Sequence, residues 1–514
     1  MRTKKSIINT IVSFGSQFVL ILLGFLSRRV LIYNVGVQYL GINGLMSNIL
    51  TIFSLAESGI GVAIGYALYK PLAENDVEQI KSLMQFFKRT YRALAVGTAV
   101  IGMAFYPLLP FFLKDNTAPD ANIVYLMFLF SSVVSYLWVY KTTLNSSDQN
   151  KYLYTIANTV TQILILVLKV LVLYFTRNYI LYLSIDIGST VIKNLIFCRI
   201  VDKRYPYLKD KNVRKLNAET RKGLFTNIKA LFLGKIGYIV SQCSDNLVIS
   251  SIVSVTAVGM YSNYTTLISS VSGFVSTFSD GVTASMGNLI ASDTKERAYA
   301  IYKKIDFINF WLYTFSAICL LCLIEPFVAI WLGESFVLSK GILLLSVLPY
   351  YLRGLNSGID IVKNAAGLYH PDRYVPMCEA FLNMGISLAL APRYGVTGVL
   401  LGTLISFLVF SFWTKPYFVY RDVFCVRFSK YVALEGRKII ISILIAMATW
   451  YVVSLVSLPN MILNFCVKTA ISLAMSNGLL IVIYCKSEEF QYIRALADSV
   501  LSRFLKIRRE RVDE

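Results

Sequence analysis

Charged side chains interrupt otherwise apolar stretches at Glu57, Lys169, Asp186, Lys193, Lys235, Asp245, Asp280, Arg353, Asp360, Lys363 and Glu379. A charge at the centre of a membrane helix costs about 2.5–3.5 kcal/mol on insertion scales, so each needs a partner or a task. The cations Arg28, Arg29, Lys235, Arg353 and Lys363 suit phosphate or carboxylate, Arg through a bidentate fork and Lys as a point charge. The carboxylates Glu57, Asp245, Asp280 and Asp360 are candidates for ion coupling or gating, with a proton or sodium gradient as the driving force. Pairing that merely fastens helices is the simpler reading for any one of these residues. Their arrangement weakens it for the set. Ser13, Gln17, Gly24 and Arg28 share one helical face; Lys235, Tyr238, Gln242 and Asp245 share another. Ser47, Thr51, Ser54 and Ser58 form a hydroxyl stripe with Glu57 on its flank, and Arg353, Asp360 and Lys363 fall on one face. Polar stripes on several helices need a shared water-filled cavity. Cations with hydroxyl and amide rows, Gln17 and Gln242 among them, fit a large, polar, anionic cargo such as a phosphorylated sugar.

The elements that carry these residues are membrane helices. The chain has 514 residues, 56% hydrophobic and 15% charged, with a mean hydropathy of +0.61. Soluble domains lie nearer 45–50% apolar and about 25% charged. Fourteen spans are read at 7–32, 40–69, 92–113, 121–144, 152–175, 179–198, 230–254, 257–290, 305–332, 341–365, 374–391, 396–414, 439–456 and 461–485. Each is about long enough to cross a hydrocarbon core of about 30 Å. The opening "MRTKKS" and the apolar run after it look like a signal peptide, but the run continues to Ile32 without a small-residue cleavage site, which favours a retained first helix.

The net charge of +21 does not point to nucleic acid. An even number of spans puts both ends on one side, and that side holds most of the Lys and Arg. The opposite loops hold only Lys114, Arg177, Lys340 and Arg393. This is the positive-inside pattern, so both termini are expected in the cytoplasm. The basic segment after Ile493 reads equally as an amphipathic helix on the inner leaflet or a solvated tail. The eight cysteines lie in spans or on the cytoplasmic side, and the single histidine, His370, leaves a zinc site short of ligands. The cysteines are read as small packing residues, and no metal or organic cofactor is expected. Gly234-Lys235 lacks the glycine and hydroxyl residue of a phosphate-binding loop, so no nucleotide motor is visible.

The longest internal hydrophilic stretch, 199–225, separates six spans from eight. Four weak echoes recur across it at a nearly constant offset: Ser16-Gln17 with Ser241-Gln242, Gly41 with Gly259, Glu57 with Asp280, and Lys151-Tyr152 with Arg373-Tyr374. Six spans per copy means that both copies enter the membrane in the same orientation. The expected fold is an all-α integral membrane protein: two parallel six-helix bundles around a central cationic cavity, plus two extra C-terminal helices. The division is an N-lobe at 1–200, a basic cytoplasmic linker at 201–228, a C-lobe at 229–420, helices 13 and 14 at 421–486, and a basic tail at 487–514. Within "FSLAESGIGVAIGYAL", Gly61 and Gly65 form a small-xxx-small pair beside the hydroxyl stripe, which places Glu57 at the border of a close helix contact.

Fourteen spans in two parallel halves, "LAESGIG" in the second helix and Asn150-Lys151-Tyr152 before the fifth resemble the Wzx-type polysaccharide repeat-unit flippases. These belong to the multidrug/oligosaccharidyl-lipid/polysaccharide exporter superfamily, with the lipid II flippases and multidrug extruders. The resemblance implies movement of undecaprenyl-diphosphate-linked oligosaccharides from the inner to the outer leaflet of a bacterial plasma membrane, for capsule, exopolysaccharide or O-antigen synthesis. It implies no enzymatic activity, alternating access of two lobes, and a polysaccharide polymerase and chain-length machinery as further partners. By resemblance, Glu57 is the acidic residue of the second helix, and Arg28, Arg29, Lys235 and Arg353 are the basic residues of the cavity.

Other readings remain. A drug-for-ion antiporter of the same fold would carry a net acidic, aromatic cavity and would need only twelve spans, and a lipid II flippase would share the whole plan. A membrane polymerase would show a large outer loop with paired catalytic groups, which is missing here. A passive scaffold leaves the polar stripes without a purpose.

Overall fold

The computed structural model describes residues 2–54, 57, 60–61, 67–68, 71–72, 74–113, 120–148, 151–210, 213–214, 216–217, 221–222, 224, 243–368, 371–492 and 494–495. Among these residues the chain is helical throughout and contains no strand. The helices are α1 Arg2–Val35, α2 Val37–Phe53, α3 Val77–Phe105, α4 Ala121–Tyr136, α5 Val139–Ser147, α6 Lys151–Thr176, α7 Tyr179–Arg204 and α8 Val255–Ser292. They continue with α9 Lys295–Leu332, α10 Lys340–Leu355, α11 Ser357–Ala365, α12 Val375–Tyr394, α13 Val396–Val409, α14 Ser411–Phe418, α15 Phe428–Leu455 and α16 Met461–Tyr484. Among the described residues nine helical stretches are long and apolar enough to cross a membrane, and a tenth is added if α4 and α5, bent by 46°, form one span. The protein is a multi-pass membrane protein.

Caps set where several helices start. Asp76 accepts the Gln79 N–H at 3.0 Å at the head of α3, and Thr294 accepts the Arg297 N–H at the head of α9. Asn178 and Asn460 each accept two N–H groups at the heads of α7 and α16. A capping oxygen satisfies donors that the helix itself leaves orphaned. These caps begin α3 and α9 well before their apolar cores do. At 1.5 Å per residue the 38-residue α9 is about 57 Å long, far more than a bilayer core of about 30 Å. The expected start of span 9 at 305, and of span 13 at 439, therefore cut off one or more polar turns that are fully helical. Span 10 is corrected in another way. It breaks between α10 and α11 at Asn356, whose side-chain amide donates to the Phe412 carbonyl and whose oxygen accepts from Tyr431 at 2.7 Å. Arg353 therefore lies in a different helix from Asp360 and Lys363.

Apolar side chains recur at helical spacing on open faces: Phe18, Leu22 and Leu26 on α1, Leu164, Leu168 and Leu171 on α6, and Ile440, Leu444 and Met447 on α15. In a membrane protein such faces meet lipid, where exposure carries no hydrophobic penalty.

The chain divides into two compact units. The first comprises 1–262 with 380–399, and the second 263–379 with 400–514. This partition differs from the one expected at the 201–228 linker, because 243–262 and most of α12 belong with the N-terminal helices. The reason is visible in close contacts. A Cβ on Gly41 would lie 2.0 Å from the Val255 carbonyl oxygen, and one on Gly259 would lie 2.5 Å from that of Val37. Only glycine allows the start of α2 and the start of α8 to approach this closely. In the first unit α1 packs on α6, and α3, α4 and α7 pack together around Phe87, Tyr91, Tyr136 and Phe197. In the second unit α9 is the central helix, packed against α10, α15 and α16 around Phe310, Tyr313, Val347 and Leu480.

Candidate functional site

The first unit holds the expected residues of α1 and α2. Arg28 is partly buried and donates to the Ser262 hydroxyl at 3.3 Å, while its neighbour Ser27 bonds the Tyr182 hydroxyl at 3.0 Å. Arg29 points elsewhere. It is exposed and its guanidinium lies over the Tyr33 ring at 5.6 Å, as a step of about 100° along the helix requires. Gln17 is half-buried on the same helix. Glu57 is half-buried beside the hydroxyls of Tyr136 and Tyr91. A Cβ on Gly61 would stand 3.6 Å from the Tyr91 hydroxyl. The carboxylate and the glycine thus face one aromatic pair, with ring centroids 6.5 Å apart. Its companion Gly65, and Lys235 and Gln242 of span 7, lie outside the described residues, as does Asn150. Asp280 lies on α8, and its side chain is likewise outside the described set.

Asp245 stands in an oxygen-rich cluster of the first unit. The Asn383 amide donates to Asp245 Oδ1 at 3.2 Å and to the Ser244 hydroxyl at 3.3 Å. Ser387, one turn along α12, donates to Asn383 Oδ1 at 3.0 Å and lies 3.3 Å from the Val399 carbonyl. Asn383 and Ser387 are almost wholly buried. A carboxylate, a carbonyl, an amide oxygen and two hydroxyls lie in this one knot, bonded to one another through Asn383 and Ser387; oxygen donors of this kind are those that alkali and alkaline-earth cations take in preference to soft metals. Among the described residues no group of three or more His, Cys, Asp or Glu could hold a metal ion. The sequence reading singled out Asp245 and passed over Asn383 and Ser387, because neutral polar residues in "FLNMGISLAL" do not interrupt the hydropathy of span 11.

The second unit gives each charged residue singled out in span 10 an internal partner. Arg353 lies 3.5 Å from Glu379 and over the Phe407 ring at 5.1 Å. Lys415 donates to Asp360 at 2.9 Å, and Lys363 pairs with Asp372. Glu379 also accepts from Ser411. Two further charges singled out in the sequence, Lys169 and Asp186, pair with each other across α6 and α7 in the first unit, and Lys193 donates to Asn158 at 2.8 Å. Asp306, at the very edge of span 9, joins Glu435 and Lys438, just outside span 13, in a buried cluster of the second unit.

No known sequence family and no curated protein matches the chain. Solved structures do match. An inward closed conformation of the lipid II flippase MurJ superposes with a TM-score of 0.65 at 16% identity, over 93% of this chain and 99% of that one. A mutant of the Vibrio cholerae MATE transporter VcmN gives 0.57 at 16% identity, over 82% of this chain and 97% of its own. A MOP superfamily transporter from Pyrococcus furiosus, described as having a binding pocket of reverse polarity, gives 0.52 at 13% identity, over 79% and 93%. The chain has the MOP-type transporter fold, shared with the lipid II flippase MurJ and the MATE transporters.

Proposed function

We propose that the protein is a flippase for undecaprenyl-diphosphate-linked oligosaccharide repeat units, carrying them by alternating access from the inner to the outer leaflet of a bacterial plasma membrane, with both termini cytoplasmic. The observation that carries this reading is the extent of the fold match. Likeness to a flippase for a lipid-linked precursor runs over 93% of the chain, against 82% for the multidrug transporter VcmN. Arg28, partly buried in a membrane helix, supports the same reading, since a guanidinium there suits a diphosphate and repels the cationic cargo of a drug exporter. The products would serve capsule, exopolysaccharide or O-antigen assembly, with a polysaccharide polymerase and chain-length machinery downstream. Transport is coupled to a sodium or proton gradient, with the Asp245–Asn383–Ser387 cluster as the ion site and Glu57 as a gating carboxylate. Arg28 and Gln17 would face the cargo, as would Lys235, Gln242, Arg353 and Lys363.

A lipid II flippase is the second reading, favoured by the same MurJ match. Deleting the gene and locating the lipid-linked intermediates separates the two. Accumulation of glycan repeat units on the inner leaflet with normal peptidoglycan supports the proposal. Accumulation of lipid II instead moves the assignment, and unchanged lipid pools refute both.

A further inference from the structure

Three ionisable side chains that this transport scheme does not use meet inside the second unit. Lys438 of α15 donates to Asp306 of α9 and, one turn back, to Glu435 at 2.6 Å. The three side chains are only 7%, 4% and 2% exposed, respectively. Their charges do not balance. Two carboxylates share one ammonium, which leaves a net negative charge away from bulk water. An uncompensated buried charge costs several kcal/mol, and a buried pair holds only when the remaining lone pairs are satisfied. Glu435 Oε2 is buried and has no hydrogen-bond partner.

A second observation points to what answers this imbalance. A cavity of about 160 Å³ runs alongside the cluster, and Asp306 and Lys438 line it. Tyr302 and Tyr484 line it too: both hydroxyls are buried, that of Tyr484 without a hydrogen-bond partner and that of Tyr302 beside Asp306 but outside good hydrogen-bond geometry. Unsatisfied hydroxyls beside a polar cavity of this size mark a place for several waters, since one water needs only about 10–15 Å³ of such space. Lys303, Arg437 and Glu489 line the same cavity and are more exposed. The other titratable groups around the carboxylates are Tyr420, Tyr431 and Tyr351. None of these three carries a charge that could balance the cluster.

We propose that Asp306, Glu435 and Lys438 form a proton-binding site, in which the two carboxylates hold one exchangeable proton delivered through the Tyr302–Tyr484 cavity. The proton adds to a carboxylate oxygen, turns it into a neutral carboxylic acid and brings the cluster to zero net charge. A metal cation fits poorly, because the Lys438 ammonium already stands between the two acids. The site belongs to the second unit and is separate from the Asp245 cluster of the first. It does not depend on the identity of the cargo.

The test is proton uptake by the full-length protein in lipid nanodiscs, counted after a step between about pH 8 and about pH 5 in weakly buffered solution. Glu435→Gln keeps the size and the Lys438 contact, and it is expected to take up about one proton fewer than wild type. Glu57→Gln and Asp245→Asn leave the site intact, so combining each with Glu435→Gln still removes that same proton. Thermal stability gives a second reading. Wild type carries the unbalanced charge only at high pH, so Glu435→Gln should gain stability over wild type at about pH 8 and not at about pH 5. Equal uptake by wild type and Glu435→Gln, or the same stability difference at both pH values, overturns the proposal. If Glu435→Gln does not accumulate, Asp306→Asn carries the same two readings.

Discussion

Replacing Gly41 with alanine tests the contact that joins the start of α2 to the start of α8. The added Cβ would stand 2.0 Å from the Val255 carbonyl oxygen, against an ordinary contact of 3.4 Å or more. The two segments must therefore part by about 1.4 Å, and a backbone carbonyl cannot rotate away as a side chain can. Overpacking of this kind costs about 1–3 kcal/mol, and a backbone clash belongs at the upper end. Alanine also regains about 1 kcal/mol of helix propensity. The net loss is then about 2 kcal/mol. Gly97 is the control, because a Cβ there meets nothing within 4 Å, and Gly97→Ala should be neutral or stabilising by up to about 1 kcal/mol. Gly102→Ala meets only the Leu129 side-chain end at 2.4 Å, which can turn aside, and should fall between them. Thermal unfolding of the purified variants in one detergent ranks the three. A Gly41→Ala protein as stable as Gly97→Ala refutes the contact.

Four further outcomes follow from the same structure. Lys438→Ala leaves Asp306 and Glu435 buried without their counter-ion, so folded stability should fall by roughly 3–5 kcal/mol and membrane levels with it. Arg28→Ala takes away the guanidinium that donates to Ser262 at 3.3 Å, and flipping should be lost while protein levels hold; loss of the protein itself would make Arg28 a fastener. Asp245→Asn and Asn383→Leu should each abolish stabilisation of the protein by sodium at constant pH, where wild type gains about 2.7 kcal/mol at a hundredfold excess over its dissociation constant. Glu57→Gln should change the pH dependence of flipping, and a wild-type profile would remove Glu57 from gating.

Hydropathy made the membrane architecture legible, because each apolar stretch had to satisfy its own backbone and so had to be helical. It could not show where helices continue past the bilayer. Thr294 and Asp76 cap helices in polar surroundings, and the turns they add carry Lys81 in α3 and lead into Asp306 in α9. Glu435 and Lys438 escaped notice for the same reason, since α15 starts at Phe428 rather than at 439. The echo of Gly41 at Gly259 was visible as a repeat, but not that the two glycines lie against one another: internal similarity reports duplication, and contact is a property of the folded chain. The apolar pattern of span 10 did not reveal its interruption at Asn356, an uncharged residue whose two hydrogen bonds come from positions far along the chain. Asp245 stood out by its charge, whereas Asn383 and Ser387 became its neighbours only through tertiary packing.

The central claim is met most directly by reconstitution. Purified protein is placed in liposomes with an undecaprenyl-diphosphate-linked oligosaccharide, and the fraction of glycan open to an impermeant glycosidase outside is followed with time. The account predicts that the protected half becomes accessible with wild type and stays protected with Arg28→Ala. Continued protection with wild type, in liposomes where the same protein moves a lipophilic cation, would contradict it.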